Sequence, residues 1–269
     1  MRYPGFLLHA SLQGLLLPWR AGLIHAPLLK MLLRREMITR TSGTVLGRLW
    51  PLLQPALQVL GFWFLFDIVY GMRMDRGSTF LEYLLTGMLP WLFLSEVLNR
   101  SAGMFREFSA LFRRSPFPVE LLPLLIMLIP ALVYTLVFVL VSLLLYGPLA
   151  ALRALPVIPL LLVWLLPFAL ICGVLGLFIR DFGQALPFVM MLLLYSTPIL
   201  YFPDMLPDWM QHLLWLNPFA GLMAMIHGLV EGVRPAWPLI AAPVLLWVLA
   251  LAPSWLLFRR SLPHLREVL

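Results

Sequence analysis

Charged residues are scarce in this chain, and their scarcity excludes a soluble globular protein. Only 12% of the 269 residues are charged, whereas 62% are hydrophobic, and the mean hydropathy is +0.95. A soluble core of this size cannot bury so much apolar sequence. The composition therefore predicts an all-α integral membrane protein whose chain crosses the bilayer several times.

Cysteine and lysine are almost absent, which excludes several kinds of site. Cys172 is the only cysteine, so a single chain forms neither a disulfide framework nor a cysteine metal site. Lys30 is the only lysine, and it does not lie in the glycine-rich motif that binds ATP phosphates. The five histidines lack metal-ligand spacing, and no serine lies in a G-x-S-x-G motif. The sequence predicts no catalytic residue, no metal and no cofactor in this chain.

Six apolar stretches are long enough to cross a bilayer, which takes about 20 helical residues. They are residues 52–71, 80–98, 121–146, 155–179, 184–203 and 236–258. With both termini in the cytoplasm, 15 of the 19 lysines and arginines lie inside, as the positive-inside rule requires. This topology explains the net charge of +7 without nucleic-acid binding. It divides the chain into a cytoplasmic amino-terminal segment (1–51), a membrane domain (52–258) and a cytoplasmic tail (259–269).

The region between the last two stretches predicts an outer re-entrant helical hairpin. Residues 219–230 are apolar but too short to span, and Pro218 favours a break before them. A full crossing here would also place the basic carboxyl terminus outside. We therefore expect two short helices, residues 205–216 and 219–230, that enter from the outer face and return.

The segment between the second and third stretches predicts a short amphipathic helix at the cytoplasmic face. Its apolar residues fall on one arc of a helical wheel and its charged residues lie opposite, before Pro116 and Pro118 end the helix. The helix either floats in the lipid headgroups or docks a cytoplasmic motor. The candidate docking residues are Met104, Phe105, Arg106, Glu107, Phe108, Arg113 and Arg114.

Basic residues before the first span predict a second cytoplasmic site. Arginines bind phosphate in a bidentate manner, so these side chains are candidates for binding an anionic lipid head; the alternative is that they only set the topology and contact phospholipids. The candidates are Lys30, Arg34, Arg35, Arg40 and Arg48. Three acidic residues, Asp67, Glu82 and Glu96, lie near the ends of predicted spans, where solvation or pairing with an arginine is the favoured interpretation.

Aromatic residues concentrate in the first two spans. Phe62, Phe66 and Tyr70 recur every four residues and so share one helix face. Such a face suits a wall that stacks sugar rings or slides acyl chains, although helix packing produces the same spacing. The candidate channel residues are Phe62, Trp63, Phe66, Tyr70 and Trp91.

Six short motifs, taken in order, resemble the ABC-2 type permeases, particularly those of polysaccharide and O-antigen (lipopolysaccharide) export. They are residues 42–55 (SGTVLGRLWPLLQP), 87–91 (GMLPW), 117–123 (FPVELLP), 180–184 (RDFGQ), 196–199 (STPI) and 216–219 (LNPF). The resemblance covers about residues 30–260. The fourth motif marks Arg180 and Asp181 as candidate residues of a cytoplasmic loop.

The resemblance implies a permease subunit in the bacterial inner membrane. Two such chains would form a homodimeric channel for a lipid-linked glycan, and two ATP-binding cassette subunits would bind ATP and Mg²⁺. The predicted helix at residues 104–112 then matches the family's coupling helix, and residues 30–40 its interface or gate helix. The alternatives are an ABC-2 exporter of a drug or lipid, and a secondary carrier, for which the expected mid-membrane charges and internal repeats are missing.

Overall fold

The computed structural model describes residues 4–41, 43, 45–71, 80–114, 117–214, 216–232, 235 and 237–264. The regular structure within these ranges is helical, and none of their residues lies in a β-strand. The predicted all-α class is therefore confirmed.

The helices follow one another with short connections. Their bounds are α1 Pro4–Ile24, α2 Ala26–Thr41, α3 Trp50–Trp63, α4 Phe80–Ser101, α5 Met104–Glu107, α6 Ser109–Arg114, α7 Leu122–Tyr146, α8 Pro148–Ala154, α9 Val157–Phe178, α10 Phe182–Ser196, α11 Asp208–Leu214, α12 Pro218–Glu231 and α13 Trp237–Ser261.

Four helical stretches in the described ranges are long and apolar enough to cross a bilayer. They are Phe80–Ser101, Val119–Tyr146, Pro148–Phe178 and Trp237–Ser261. They correspond to the second, third, fourth and sixth predicted spans. The chain is therefore a multi-pass membrane protein.

The predicted first and fifth spans contain shorter α-helices. α3 ends at Trp63 and continues as a π-helical turn, Phe64–Val69. α10 ends at Ser196, where Thr197 adopts an extended backbone with φ −102° and ψ 134°. Thr197 precedes Pro198, and the proline ring disfavours a helical conformation in the residue before it. The helix within residues 184–203 is thus shorter than the sequence predicts.

The region after α10 contains two short helices, as the sequence predicts. α11 and α12 differ in direction by 86°. Asn217 separates them and caps α12, because its side-chain oxygen accepts hydrogen bonds from the backbone N–H groups of Phe219 (3.0 Å) and Ala220 (3.4 Å). Pro218 occupies the first helical position, where its missing N–H costs no hydrogen bond.

Two clusters of buried apolar side chains hold the helices together. The larger one joins α4, α7, α9 and α12. The smaller one, here called the smaller apolar cluster, consists of Ala10, Leu32, Met104, Phe105, Leu122, Leu125, Ile126, Leu170, Val174, Leu177, Ala252, Trp255 and Phe258.

The amino-terminal helix α1 belongs to this packing, although the sequence predicts only a cytoplasmic segment there. It runs against α13, and the indole N–H of Trp255 donates to the side-chain oxygen of Gln13 at 3.2 Å. Gly14 makes the approach close, because a Cβ atom there would lie 2.8 Å from the Cβ of Trp255. Residues 4–24 are therefore packed onto the last span.

Candidate functional site

The segment between α4 and α7 is anchored against the end of α9 by two glycines. A Cβ atom on Gly176 would lie 1.9 Å from the carbonyl oxygen of Ala102, and one on Gly173 would lie 2.1 Å from Cε of Met104. Small residues let membrane helices approach this closely. The guanidinium group of Arg106 also donates a hydrogen bond to the carbonyl oxygen of Gly176. The start of this segment is therefore fixed to the fourth span by backbone contact.

The amphipathic helix that the sequence predicts over residues 104–112 is broken in the structure. α5 ends at Glu107, Phe108 leaves the helical region with φ −101° and ψ 13°, and α6 begins at Ser109. The wheel assumes one uninterrupted helix, so its prediction of continuity is wrong. We call residues Met104–Arg114 the coupling segment below.

The apolar side of the coupling segment packs into protein. Met104 and Phe105 are 0% and 1% exposed within the smaller apolar cluster, and the rings of Phe105 and Phe258 stack with their centroids 6.1 Å apart. Phe108 packs partly against the same cluster. Of the two alternatives for this face, floating in the lipid headgroups therefore does not hold for Met104 and Phe105, whose side chains are buried in protein.

The accessible part of the coupling segment lies after Phe105. Arg106, Glu107 and Ala110 are exposed, and α6 follows them. The backbones of Arg113 and Arg114 end α6, and their side chains lie outside what the structure describes. Among the described side chains of the coupling segment, the exposed ones are thus Arg106, Glu107 and Ala110, whereas Met104 and Phe105 form an internal anchor.

A cluster of ion pairs connects the coupling segment to α2 and α4. The Glu36 carboxylate oxygen accepts from Arg40 Nε at 2.9 Å and from Arg100 Nη2 at 2.7 Å. Arg40 Nη1 lies 3.3 Å from Glu96, and Arg100 Nη2 lies 2.7 Å from Glu107. These five side chains, Glu36, Arg40, Glu96, Arg100 and Glu107, are named the inner ion cluster. It joins the amino-terminal segment, the second span and the coupling segment.

Three of the five side chains of the inner ion cluster are mostly shielded from water, whereas Glu96 and Glu107 are 33% and 40% exposed. The side chains of Glu36, Arg100 and Arg40 are 12%, 20% and 23% exposed. The part of the Glu107 side chain that is withdrawn from water raises the pKa of this carboxyl, the nearby charge of Glu36 raises it further, and Arg40 acts in the opposite direction. Glu107 therefore becomes protonated, and so neutral, at a higher pH than an isolated glutamate, although Arg100 donates a hydrogen bond to it.

The predicted lipid-head residues separate into two groups. Lys30, Arg34 and Arg35 are exposed along α2, as a membrane-surface role requires. Arg40, by contrast, points into the inner ion cluster, and its pairing with Glu96 confirms that this acidic residue lies beside an arginine. Arg48 lies in a 3₁₀ turn before α3, and its side chain is outside what the structure describes.

The predicted aromatic face forms, but not all of it lines a free surface. The rings of Phe62 and Phe66 lie 6.4 Å apart, and those of Phe66 and Tyr70 lie 5.9 Å apart. Trp63 and Tyr70 are exposed. Trp91 is 2% exposed and packs edge-on against Phe219 at 5.7 Å, which makes it a core residue of the single chain.

Arg180 and Asp181 are exposed in the turn between α9 and α10, where the Asp181 carbonyl accepts from the backbone N–H groups of Gln184 and Ala185. Within the described ranges, no three histidine, cysteine, aspartate or glutamate side chains come together in a metal-binding group.

Sequence reasoning missed Arg100 and Glu36 as site residues. The i, i+4 spacing of Glu36 and Arg40 was a usable signal, because such pairs meet on one helix face. The 64-residue separation between Glu36 and Arg100 has no local signature, so only the packing of α2 against the membrane helices reveals that contact.

Comparison with known proteins agrees with the architecture. The ABC-2 type transporter family model matches residues 27–230. The chain is similar to the O-antigen export system permease protein RfbA of Klebsiella pneumoniae, with 27% identity over 202 residues that cover 73% of this chain and 77% of the relative.

Two other relatives match over longer segments. RfbA of Myxococcus xanthus is 29% identical over 233 residues, covering 82% of this chain and 88% of the relative. The polysialic acid transport protein KpsM of Escherichia coli is 28% identical over 212 residues, covering 76% and 80%. The fold is helical and membrane-spanning, with a packed segment between the second and third spans. Because the family model also matches most of its length, this chain belongs to the ABC-2 type transporter family.

Proposed function

We propose that this chain is the membrane-spanning subunit of an exporter that moves a lipid-linked polysaccharide, such as an O-antigen or a capsular glycan, across the bacterial inner membrane. The observation that carries the proposal is the similarity to relatives named for O-antigen export and polysialic acid transport, which extends over 73% to 82% of this chain. The chain itself is not an enzyme in this proposal.

The proposed topology has six membrane crossings and both termini in the cytoplasm. α3 with its π-helical turn and α10 supply the two crossings beyond the four long stretches, and α11 and α12 form the outer re-entrant hairpin. The distribution of basic residues supports this orientation, since 15 of 19 then lie inside. The coupling segment consequently lies at the cytoplasmic face.

The proposed machine contains two copies of this chain and two ATP-binding subunits, which bind ATP and Mg²⁺. The ATPase pushes on α6 and the exposed part of the coupling segment. Backbone contact with α9 and the inner ion cluster support transmission, because they connect this segment to the fourth span, to the second span and to α2. A rigid contact passes a displacement on, whereas a helix that floats in lipid absorbs it.

The proposed glycan path uses the exposed aromatic side chains of the first span, and basic residues at the cytoplasmic face receive the anionic lipid. Lys30, Arg34 and Arg35 are accessible to headgroups on α2. Ligand binding must favour the inward-facing state over the outward-facing one, because a ligand with equal affinity for both shifts no equilibrium.

The test combines export with ATP hydrolysis. Deleting the gene is expected to remove the polysaccharide from the cell surface and to trap it inside, and an ATPase subunit is expected to co-purify with the wild-type chain. The double variant Arg113→Glu/Arg114→Glu should uncouple hydrolysis from export, because it reverses the charge of α6.

The matched control is Arg259→Glu/Arg260→Glu. It reverses two adjacent, exposed arginines at the end of α13 and leaves the coupling segment intact. Export in this control should match the wild type. Surface polysaccharide that persists after gene deletion, or a wild-type chain that binds no ATPase, contradicts the proposed function.

A further inference from the structure

A cavity of about 320 Å³ lies between α4, the chain that follows α10, both helices of the re-entrant pair and the start of α13. Tyr83, in the first turn of α4, lines it, whereas the coupling segment follows the last turn of that helix. The cavity and the coupling segment therefore lie at opposite ends of α4. Its volume is near the lower end of the range of about 300 to 1,000 Å³ that is usual for small-molecule sites.

Two side chains give this cavity a polar side with acceptor oxygens. Nε2 of Gln211 donates to the carbonyl oxygen of Leu206 at 2.9 Å, which holds the amide and leaves its own oxygen as an acceptor. The side chain of Glu231 is 35% exposed, and one of its carboxylate oxygens lies 3.2 Å from Nδ1 of His227. Among the described residues, no arginine or lysine forms an ion pair with this carboxylate. A ligand can therefore reach an uncompensated carboxylate here.

The remaining walls are mostly apolar, and small residues on α12 make the space. Ala220, Ala224 and Gly228 follow one another at intervals of four residues, so they share the face of α12 that lines the cavity. The other apolar lining residues are Pro198, Pro203, Leu214, Pro235 and Leu239. An apolar wall with a few fixed polar groups is the usual form of a small-molecule site.

His227 fixes the carboxylate in place and does not itself offer a free donor to the cavity. Its ring is 8% exposed and stacks on the ring of Tyr83, with the centroids 4.3 Å apart. Its Nε2 points towards α4, because a Cβ atom on Gly87 would lie 3.2 Å from it. The Tyr83 hydroxyl donates to the carbonyl oxygen of Pro198 at 2.6 Å. These contacts hold the polar side of the cavity between α4 and α12.

The lining disfavours a metal ion and a lipid chain. A hard metal ion takes about six oxygen ligands, whereas within the described ranges no three acidic, histidine or cysteine side chains come together. A lipid chain would cover the carboxylate of Glu231 without pairing it, which costs free energy. A sugar avoids both difficulties, because its hydroxyls donate to carboxylate and amide oxygens and its C–H groups lie against the apolar walls.

We propose that this cavity is an exit subsite that binds one sugar unit of the exported polysaccharide, with Glu231 and Gln211 as hydrogen-bond acceptors. The inference rests on the proposed function, which supplies a glycan at this end of the molecule. The subsite is separate from the aromatic face of the first span, since no residue of α3 lines it. The charge of Glu231 repels acidic sugars and so favours a neutral or amino sugar.

Such a subsite opposes the return of a chain that has crossed the membrane. A sugar held at the outer end keeps the leading part of the glycan outside while the transporter resets. The binding must also be weak enough to release the chain, as in any path that conducts its ligand. A few hydrogen bonds in a cavity that takes one sugar unit meet both conditions.

The test captures the glycan in cells that carry this chain as their only copy. The photoreactive residue p-benzoyl-phenylalanine replaces Pro203, which lines the cavity, or, as the matched control, Trp209, which is exposed on α11 outside it. Captured glycan raises the mass of the chain and reacts with a hydrazide label after periodate oxidation. Irradiation should capture glycan at position 203 and not at position 209. The proposal is overturned by equal capture at both positions, by no capture, or by capture at position 203 of only lipid or a second copy of the chain.

Variants then assign the acceptors. Glu231→Gln keeps the shape of the side chain but removes its charge, and Gln211→Leu removes the amide oxygen. Each should lower the capture at position 203 by about 2- to 10-fold, which corresponds to the loss of one hydrogen bond. Asp208→Asn is the matched control, because Asp208 is an exposed carboxylate of the same hairpin outside the cavity, and it should capture as the wild type does. Unchanged capture in both cavity variants refutes the assigned acceptors.

Ala224→Leu keeps the proposal testable if the polar variants fold poorly. It fills the cavity from α12 without removing a polar group, so a chain that reaches the membrane at the wild-type level should no longer capture glycan. Wild-type capture by this variant overturns the proposal. If gene deletion removes the surface polysaccharide but position 203 captures no glycan, this site alone is contradicted. Surface polysaccharide that persists after deletion contradicts the proposed function.

Discussion

Replacing Gly176 by alanine tests the backbone contact between the fourth span and the start of the coupling segment. The new Cβ atom would lie 1.9 Å from the carbonyl oxygen of Ala102 and 2.9 Å from its Cα atom. An ordinary contact needs about 3.4 Å, so the two backbones must separate by about 1.5 Å. The obstacle is main chain, which no side-chain rotation can remove.

The expected cost follows from two opposing terms. Alanine in place of glycine favours a helix by about 1 kcal/mol. Overpacking of a close-packed site costs about 1 to 3 kcal/mol, and a backbone obstacle places Gly176→Ala at or above the upper end of that range. We therefore expect a net loss of about 2 kcal/mol in the free energy of unfolding. The hydrogen bond from Arg106 to the Gly176 carbonyl should also be disturbed, which lowers the coupling of ATP hydrolysis to export.

Cys172 provides the assay. It is the only cysteine, is 9% exposed and lies one turn before Gly176 in α9, so its reaction with a thiol-specific dye reports unfolding at this contact. The matched control is Gly61→Ala in α3, where a Cβ atom meets nothing within 4 Å and no loss is expected. If Gly176→Ala unfolds at the wild-type temperature or above, while Gly61→Ala behaves as stated, the close approach of the two backbones is refuted.

The remaining predictions use the same dye assay on Cys172, except that the pH comparison is followed by circular dichroism, because a cysteine reacts as its thiolate and scarcely does so near pH 4.5. Asn217→Ala should lower stability by about 1 kcal/mol through loss of the α12 cap, whereas Asn217→Asp, which keeps the capping oxygen, should lose less; equal losses refute the capping role. The folded-state pKa of Glu107 is raised, so its contribution to the free energy of unfolding is present below the ordinary value of 4.5 and is lost as the pH rises through the folded-state pKa. The wild type should therefore lose more stability than Glu107→Gln between pH 4.5 and 7. Parallel pH profiles of the two proteins contradict this. Gly14→Val should separate α1 from Trp255 and lower the unfolding temperature, and an unchanged temperature shows that this helix does not brace the last span.

Local chemistry explains which helices the sequence predicts correctly. The second, third, fourth and sixth spans are long apolar runs, and such a run in lipid must form a helix to satisfy its own backbone. Pro218 and Asn217 mark the start of α12 by fixed backbone geometry and a capping oxygen, both of which act over a few residues. The ends of α10 and α5 are less predictable, because they depend on Thr197 before a proline and on the packing of Phe108.

The sequence by itself determined the membrane class, the distribution of basic residues and the family, since each is a sum or an ordered pattern along the chain. The tertiary structure alone decided which charges meet. Arg40 lies in the same basic helix as Arg34 and Arg35, and its spacing from Glu36 indicates only that local pair; its turn inward to Glu96 and the contact of Arg100 with Glu36 across 64 residues have no signal in the sequence. Ion pairs fall off steeply with distance and depend on burial, so their partners are fixed only when the helices that carry them pack together.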